Sequence, residues 1–142
     1  LEPQLRKSNV SILKNYAAIP PRVYGNAGKL QQVFTNLVLN ARDAMFDGGT
    51  ITLSTAVDER DEIRVEVADT GEGIPAENLG KIFDPFFTTK GVGNGTGLGL
   101  AVSYGIVQEH AGTIQAFSED RAGATFRLAF PSALKLRQRA VS

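Results

Sequence analysis

Five glycines fall within the nine residues from Gly91 to Gly99, at the head of the stretch GVGNGTGLGLAVSYGIVQEHAG. The residues after them read as a helix beginning near Leu98, whose first turn would offer unpaired backbone N–H groups and the positive end of a dipole. With so few side chains in the way an anion can approach that backbone closely, and phosphate is the natural guest. On composition alone, a flexible surface loop making a tight helix–sheet contact accounts for the glycines equally well. No GxxxxGK followed by Ser or Thr occurs in the chain, and no three glycines of the cluster fall at the GxGxxG spacing. The familiar phosphate-loop and dinucleotide patterns therefore do not apply.

A second group lies upstream. At about 100° per residue, Asn36, Asn40 and Asp43 fall within a stripe of roughly 60° on a helix, a stripe expected to stand opposite the apolar one. Asparagine in mid-helix carries a propensity cost, so two of them on one face invite an explanation. A carboxamide oxygen can complete the shell of Mg²⁺, a hard ion that takes its other oxygens from water and phosphates. A merely solvated helix face is the alternative. The third candidate is Asp69, which opens DTGEGIP. A carboxylate at the end of a strand is an acceptor that could hold an exocyclic amine, or an ordinary turn residue.

Other segments must position these groups. Alternation at Val10, Ile12, Lys14 and Tyr16 predicts a first strand, and IPPRVYGN interrupts regular structure. From Lys29 to Phe46, the apolar residues Leu30, Val33, Leu37, Ala41 and Ala44 recur at helical spacing until DGG stops them. Ile51, Leu53 and Val57, then Ile63, Val65 and Val67, alternate on either side of the charged turn DERDE and predict an antiparallel hairpin. AENLGKI predicts a short helix, and FDPFFTTKGVGNGTG is an aperiodic loop of a length that is usually functional. Leu98, Ala101, Val102, Gly105 and Ile106 predict one face of a last helix, capped by Gly112 and followed by the strands TIQAFS and ATFRLAF. This order predicts a mixed sheet with helices on one face. It does not fit a doubly wound sheet, because strands arrive in pairs without crossover helices.

Composition narrows the chemistry. The 142 residues suit one domain, and fifteen basic residues balance fifteen acidic ones, so no net field draws the chain onto nucleic acid or an anionic membrane. The chain has no cysteine and a single histidine, His110, which removes disulfides, thiolate metal sites and a cysteine nucleophile. No apolar run has the length of a membrane span. The absence of an initiator methionine leads us to expect a piece of something longer.

Four motifs stand in a telling order: QQVFTNLVLNARDAM, DTGEGIP, IFDPFFTTK and GTGLGL. Together they resemble the N, G1, F and G2 boxes of the ATP-binding catalytic domain of sensor histidine kinases, in the superfamily shared with gyrase, MutL and a heat-shock chaperone. The resemblance covers nearly the whole chain, with the core expected at about residues 9–131, residues 1–8 as the remnant of a linker and residues 132–142 as a tail. It implies an α/β two-layer sandwich, in which a mixed, mostly antiparallel five-stranded sheet is covered on one face by three helices and carries a mobile ATP lid. It also implies a protein-histidine kinase that binds Mg-ATP, with Asn40 holding Mg²⁺ and Asn36 supporting that site one turn earlier. Asp69 would accept from the adenine amino group, Gly71, Gly73 and Thr125 of GATF would complete base recognition, and Ile74 would pack on the base. Phe83, Phe86 and Phe87 would anchor a lid from about Asp84 to Thr96, with Lys90 reaching the phosphates. Gly95, Thr96, Gly97, Leu98 and Gly99 would fold around them.

The family's acceptor histidine lies on a separate dimerising helical hairpin, which these residues do not include. The implied partners are that hairpin domain and a downstream response regulator, the fragment itself being monomeric and cytoplasmic. His110, in QEHAG, is expected to be structural. Two departures from the pattern stand out: Asp43, where many members carry a basic residue, and Asn26, where an acidic residue often precedes the N box. Asp43 is expected to act, if at all, through metal-bound water or Arg42. An ATPase switch of the gyrase or MutL kind is the alternative, but those relatives place a glutamate where this chain has Asn36, and a carboxamide cannot take a proton from water. A non-catalytic ATP-sensing module and a serine-directed anti-sigma kinase are further alternatives.

Overall fold

The computed structural model describes residues 10–15, 27–45, 48–60, 62–84, 99–118 and 122–131. In chain order these form β1 (Val10–Asn15), α1 (Ala27–Asp43), β2 (Gly49–Val57), β3 (Glu62–Asp69), α2 (Ala76–Leu79), α3 (Gly99–Glu109), β4 (Thr113–Ser118) and β5 (Ala124–Pro131). One five-stranded sheet runs in the order β1-β2-β3-β5-β4. Parallel strands need a crossover of a dozen or more residues, and α1 lies between β1 and β2, the parallel pair. The other neighbours are antiparallel. The sheet is thus mixed and mostly antiparallel, as expected from the order of elements.

Register explains which face is buried. Leu53 pairs with Val67, Val67 with Phe126, and Phe126 with Ala116, so the apolar residues of four strands share one face. Thr52, Ala68, Thr125 and Phe117 lie in the next row, on the other face. Val33, Leu37, Val38 and Ala41 of α1 and Ile106 and Val107 of α3 pack on the apolar face with Ile51, Phe126, Leu128 and Phe130. Burying one such side chain stabilises the fold by about 1.5–3 kcal/mol.

Three expectations need correction. The first helix runs from Ala27 to Asp43 rather than from Lys29 to Phe46; Phe46 and Asp47 lie outside the described residues. The carboxamide stripe does not stand opposite the apolar one, since Asn36 is only about 60° around the helix from Val33, and it borders α3 instead. In α3 the buried face is Ser103, Ile106 and Val107, with Leu100 packed beside them, whereas Val102 is 41% exposed and a Cβ added at Gly105 would meet nothing within 4 Å. Counting Ala and Gly as apolar markers rotated the predicted face, because they carry too little surface to be worth burying. The serine on the true face hid it further.

The end of α3 shows a different cap from the one expected. Ala111, not Gly112, takes the left-handed conformation, with φ 57°. Ala111 N donates to Gln108 O at 3.0 Å and Gly112 N to Val107 O at 2.9 Å, the paired bonds of a Schellman ending. Gly112 is required by packing, because a Cβ there would lie 2.7 Å from Ala129 O and 2.7 Å from a Phe130 ring carbon. Ala111→Gly is therefore expected to raise stability by about 0.5–1 kcal/mol, and Gly112→Ala to lower it by about 1–3 kcal/mol. Urea unfolding midpoints of the two variants check both signs.

Candidate functional site

Asp69 is the last residue of β3, on the helix-facing side of the sheet, paired with Ile51 on one neighbour and Ala124 on the other. Its Oδ1 accepts from Gly71 N at 2.8 Å, the short-range bond that turns the chain. Burial raises the carboxyl above its ordinary value, and that effect outweighs the lowering by backbone bonds from Gly71 and Ala124; Glu72 adds a smaller rise.

The turn DTGEGIP is fastened on three sides. Glu72 N donates to Ala44 O, just past the end of α1, at 3.1 Å, and a Cβ on Gly71 would lie 2.5 Å from that same oxygen. Thr70 Oγ1 accepts from Thr50 N at 3.1 Å. Gly73 sits at φ 77°, which a side chain would resist. Ile74 N donates to Ser118 Oγ at 2.6 Å, and Ser118 Oγ donates to Gly123 O at 2.7 Å. A groove of about 470 Å³ opens beside Asp69, lined among others by Leu79, Ala116, Ser118, Gly123 and Ala124, a size suited to a small organic group.

On α1 the two asparagines differ. Asn36 Nδ2 donates to Gly99 O and to Ser103 Oγ, each at 3.3 Å. The half-buried Asn40 carboxamide makes no hydrogen bond among the described residues, and Asn40 O accepts from Ala44 N at 3.2 Å, so it stands one turn from the Asp69 loop. Asp43 Oδ1 accepts from Arg42 Nε at 3.2 Å and from a second Arg42 nitrogen at 3.1 Å.

Phe83 packs on the core, 5.4 Å from Tyr104 and edge-on to Phe126 at 6.3 Å between ring centres. Gly99 begins α3. Phe86, Phe87, Lys90, Gly95, Thr96, Gly97 and Leu98 lie outside the described residues, as does Asn26. Thr125 lines the same groove as Asp69. It pairs with Ala68 and Phe117 on the outer face, while Ala124 is the residue opposite Asp69. His110 Nδ1 is 2.8 Å from Ile106 O at the end of α3, in keeping with a structural part.

Two residues escaped the sequence reading. Ser118 ties the Asp69 turn to the β4–β5 end, and Ser103 joins Asn36 to α3. The available signal was a hydroxyl on an apolar face: Ser118 continues the row of Ile114 and Ala116 in TIQAFS, and Ser103 sits between Leu100 and Val107.

An open mixed sheet with helices on one face and a strand-end carboxylate beside a groove defines a class of α/β sandwich. Residues 25–134 match the histidine kinase-, DNA gyrase B-, and HSP90-like ATPase family, and the chain belongs to it. The sensor kinase CckA of Brucella abortus is 49% identical over 123 residues, a match covering 77% of this chain and 13% of that protein. The nucleotide-free catalytic domain of the histidine kinase ThkA superposes with a TM-score of 0.79 at 34% identity, over 92% of this chain and 85% of that one. Full-length ShkA in complex with AMPPNP superposes with a TM-score of 0.81 at 27% identity, over 92% of this chain and 27% of that one. The chain spans about an eighth of the length of CckA. No helix of the described residues is long and apolar enough to cross a membrane.

Since the folded carboxyl of Asp69 holds its proton to higher pH than the unfolded one, the folded state binds more protons in that interval. Stability then falls as pH rises from the ordinary carboxylate range through the raised value. Asp69→Asn should remove this loss, so the variant gains on the wild type across that window. Urea midpoints at several pH values check this: a difference between the two proteins that does not change with pH, or that shifts toward the wild type as pH rises, would overturn the assignment.

Proposed function

We propose that the chain is the catalytic domain of a sensor histidine kinase, binding Mg-ATP and supplying the γ-phosphoryl group to a histidine on another domain. The observation that carries the reading is Asp69: a half-buried acceptor at the mouth of a groove, docked within one helical turn of an unengaged carboxamide. In this reading the Asp69 carboxylate accepts from the adenine amino group, and Ile74 and the groove wall pack on the base. Gly71, Gly73 and Gly123 keep the backbone close. Guanine carries a carbonyl in place of the amino group, and two acceptors repel, which selects ATP over GTP. Ala124 and Thr125 both line the groove from β5, and Thr125 is the side chain we assign to completing base recognition.

Asn40 fits Mg²⁺: it is a hard oxygen donor, half-buried and with no bond to satisfy elsewhere among the described residues. The ion, held by Asn40, would supply positive charge to neutralise the phosphates. The protein's share is positioning, which is most of what phosphoryl transfer requires. Transfer breaks the bond between the γ-phosphorus and the oxygen bridging to ADP, forms a bond from phosphorus to an imidazole nitrogen, and releases the imidazole proton. We assign the acceptor to a histidine-bearing helical hairpin of the same protein and the next transfer to a response regulator, on the cytoplasmic side where ATP is supplied. Lys90 and the glycines from Gly95 to Gly99 remain our candidates for the phosphate contacts. Hydrolysis should be slow, because position 36 offers no base.

Calorimetric titration with AMPPNP and Mg²⁺ should show binding that GTP analogues do not share. Asp69→Asn should weaken it about 10- to 100-fold, the effect of losing one hydrogen bond to a charged group. Asn40→Ala should abolish the dependence of affinity on Mg²⁺. Addition of a histidine-bearing hairpin domain and labelled ATP should yield phosphohistidine; sustained phosphate release instead would favour the ATPase switch, and neither product a binding module.

A further inference from the structure

Resting on the nucleotide reading above, we infer that Asn36 is a positioning residue. It fastens the first turn of α3 to α1 through Gly99 and Ser103, and this clamp, rather than a metal contact, is what nucleotide binding requires of it. Asn36 Nδ2 donates toward both Gly99 O and Ser103 Oγ, each at 3.3 Å; these acceptors stand close together, so one N–H is shared between them. Ser103 Oγ donates in turn to Gly99 O at 2.8 Å. The three groups close a ring between the middle of α1 and the start of α3.

Ser103 explains why the ring is needed. It is fully buried, and a hydroxyl removed from water without partners destabilises the fold. Here its proton goes to Gly99 O within α3, and its lone pair receives Asn36 from α1, so this second contact is the one that ties the spacing of the two helices to the hydroxyl. Buried as it is, Ser103 cannot touch a nucleotide. Any effect of its hydroxyl on binding must therefore pass through the placement of α3. Asn40, one turn along, makes no such bond among the described residues, so the two asparagines divide the work: one orders the second helix and the other is left for a ligand.

The clamp needs a donor at position 36, whereas a metal site would accept a carboxylate there. Asn36→Asp separates the two, because it keeps the size and shape but replaces the donor with an acceptor that repels the Gly99 carbonyl. Folded Asn36→Ala, Asn36→Asp, Ser103→Ala and the Asn36→Ala/Ser103→Ala pair, checked by circular dichroism, would be titrated with AMPPNP plus Mg²⁺ and with ADP in EDTA.

We expect Ser103→Ala to weaken both titrations about 3- to 10-fold and Asn36→Ala about 10-fold or more. Asn36→Asp should bind no better than Asn36→Ala, and the pair should lose less than the product of its single effects. The inference is overturned if Asn36→Asp binds Mg-nucleotide as well as the wild type, if the losses vanish in EDTA, or if Ser103→Ala is indistinguishable from the wild type. If the wild type binds neither nucleotide, the functional reading fails instead. The clamp is then decided by hydrogen exchange at the first turn of α3, expected to be faster in Asn36→Ala and Ser103→Ala, with unchanged exchange counting against it. Should Asn36→Ala not fold, Ser103→Ala and Asn36→Asp still decide the matter.

Discussion

One backbone contact organises the cleft: the turn after β3 docks on the end of α1, where Glu72 N donates to Ala44 O and Gly71 leaves no room for a side chain. The carbonyls at a helix end have no partner inside the helix, so the turn satisfies one of them while bringing the strand-end carboxylate beside the helix. Met45, also at this junction, receives the Thr70 hydroxyl at 3.7 Å and is buried against the core. Slipping this contact by one residue would move Asp69 to the wrong face and leave Ala44 O bare.

A stable sheet supports that contact. The interlocked rows of Ile51, Val67, Phe126 and Leu128 are buried under α1 and α3, whereas the opposite face carries polar and charged side chains, including Arg127 paired with Glu66 at 2.8 Å and set over Phe117 at 4.7 Å. Exposed pairs of this kind contribute little; the apolar layer holds the strands, and the strands hold Asp69. Against that background the burial of Asp69 works against stability at neutral pH, as expected of a group retained for a ligand.

Neighbouring residues on one element have different surroundings. Asn36 and Asn40 are one turn apart on α1, yet among the described residues only the Asn36 carboxamide makes hydrogen bonds. Ala124 and Thr125 are adjacent in GATF, and strand alternation sends them to opposite faces.

Much of this was legible in the chain itself. The alternating rows of β2 and β3, the spacing of Val33, Leu37 and Ala41, and the four boxes in order depend only on local periodicity and residue type, which survive without knowledge of any partner. Asp69 at the end of β3 was readable for the same reason. Tertiary structure alone decided the buried face of α3, the side on which Thr125 stands, the αL residue at Ala111 and the employment of Asn36. Most depend on what lies across a gap, in another helix or strand: the Ser103 hydroxyl, bonded within α3 to Gly99 O, takes its second partner from Asn36, and Gly112 must be glycine only because β5 passes close by.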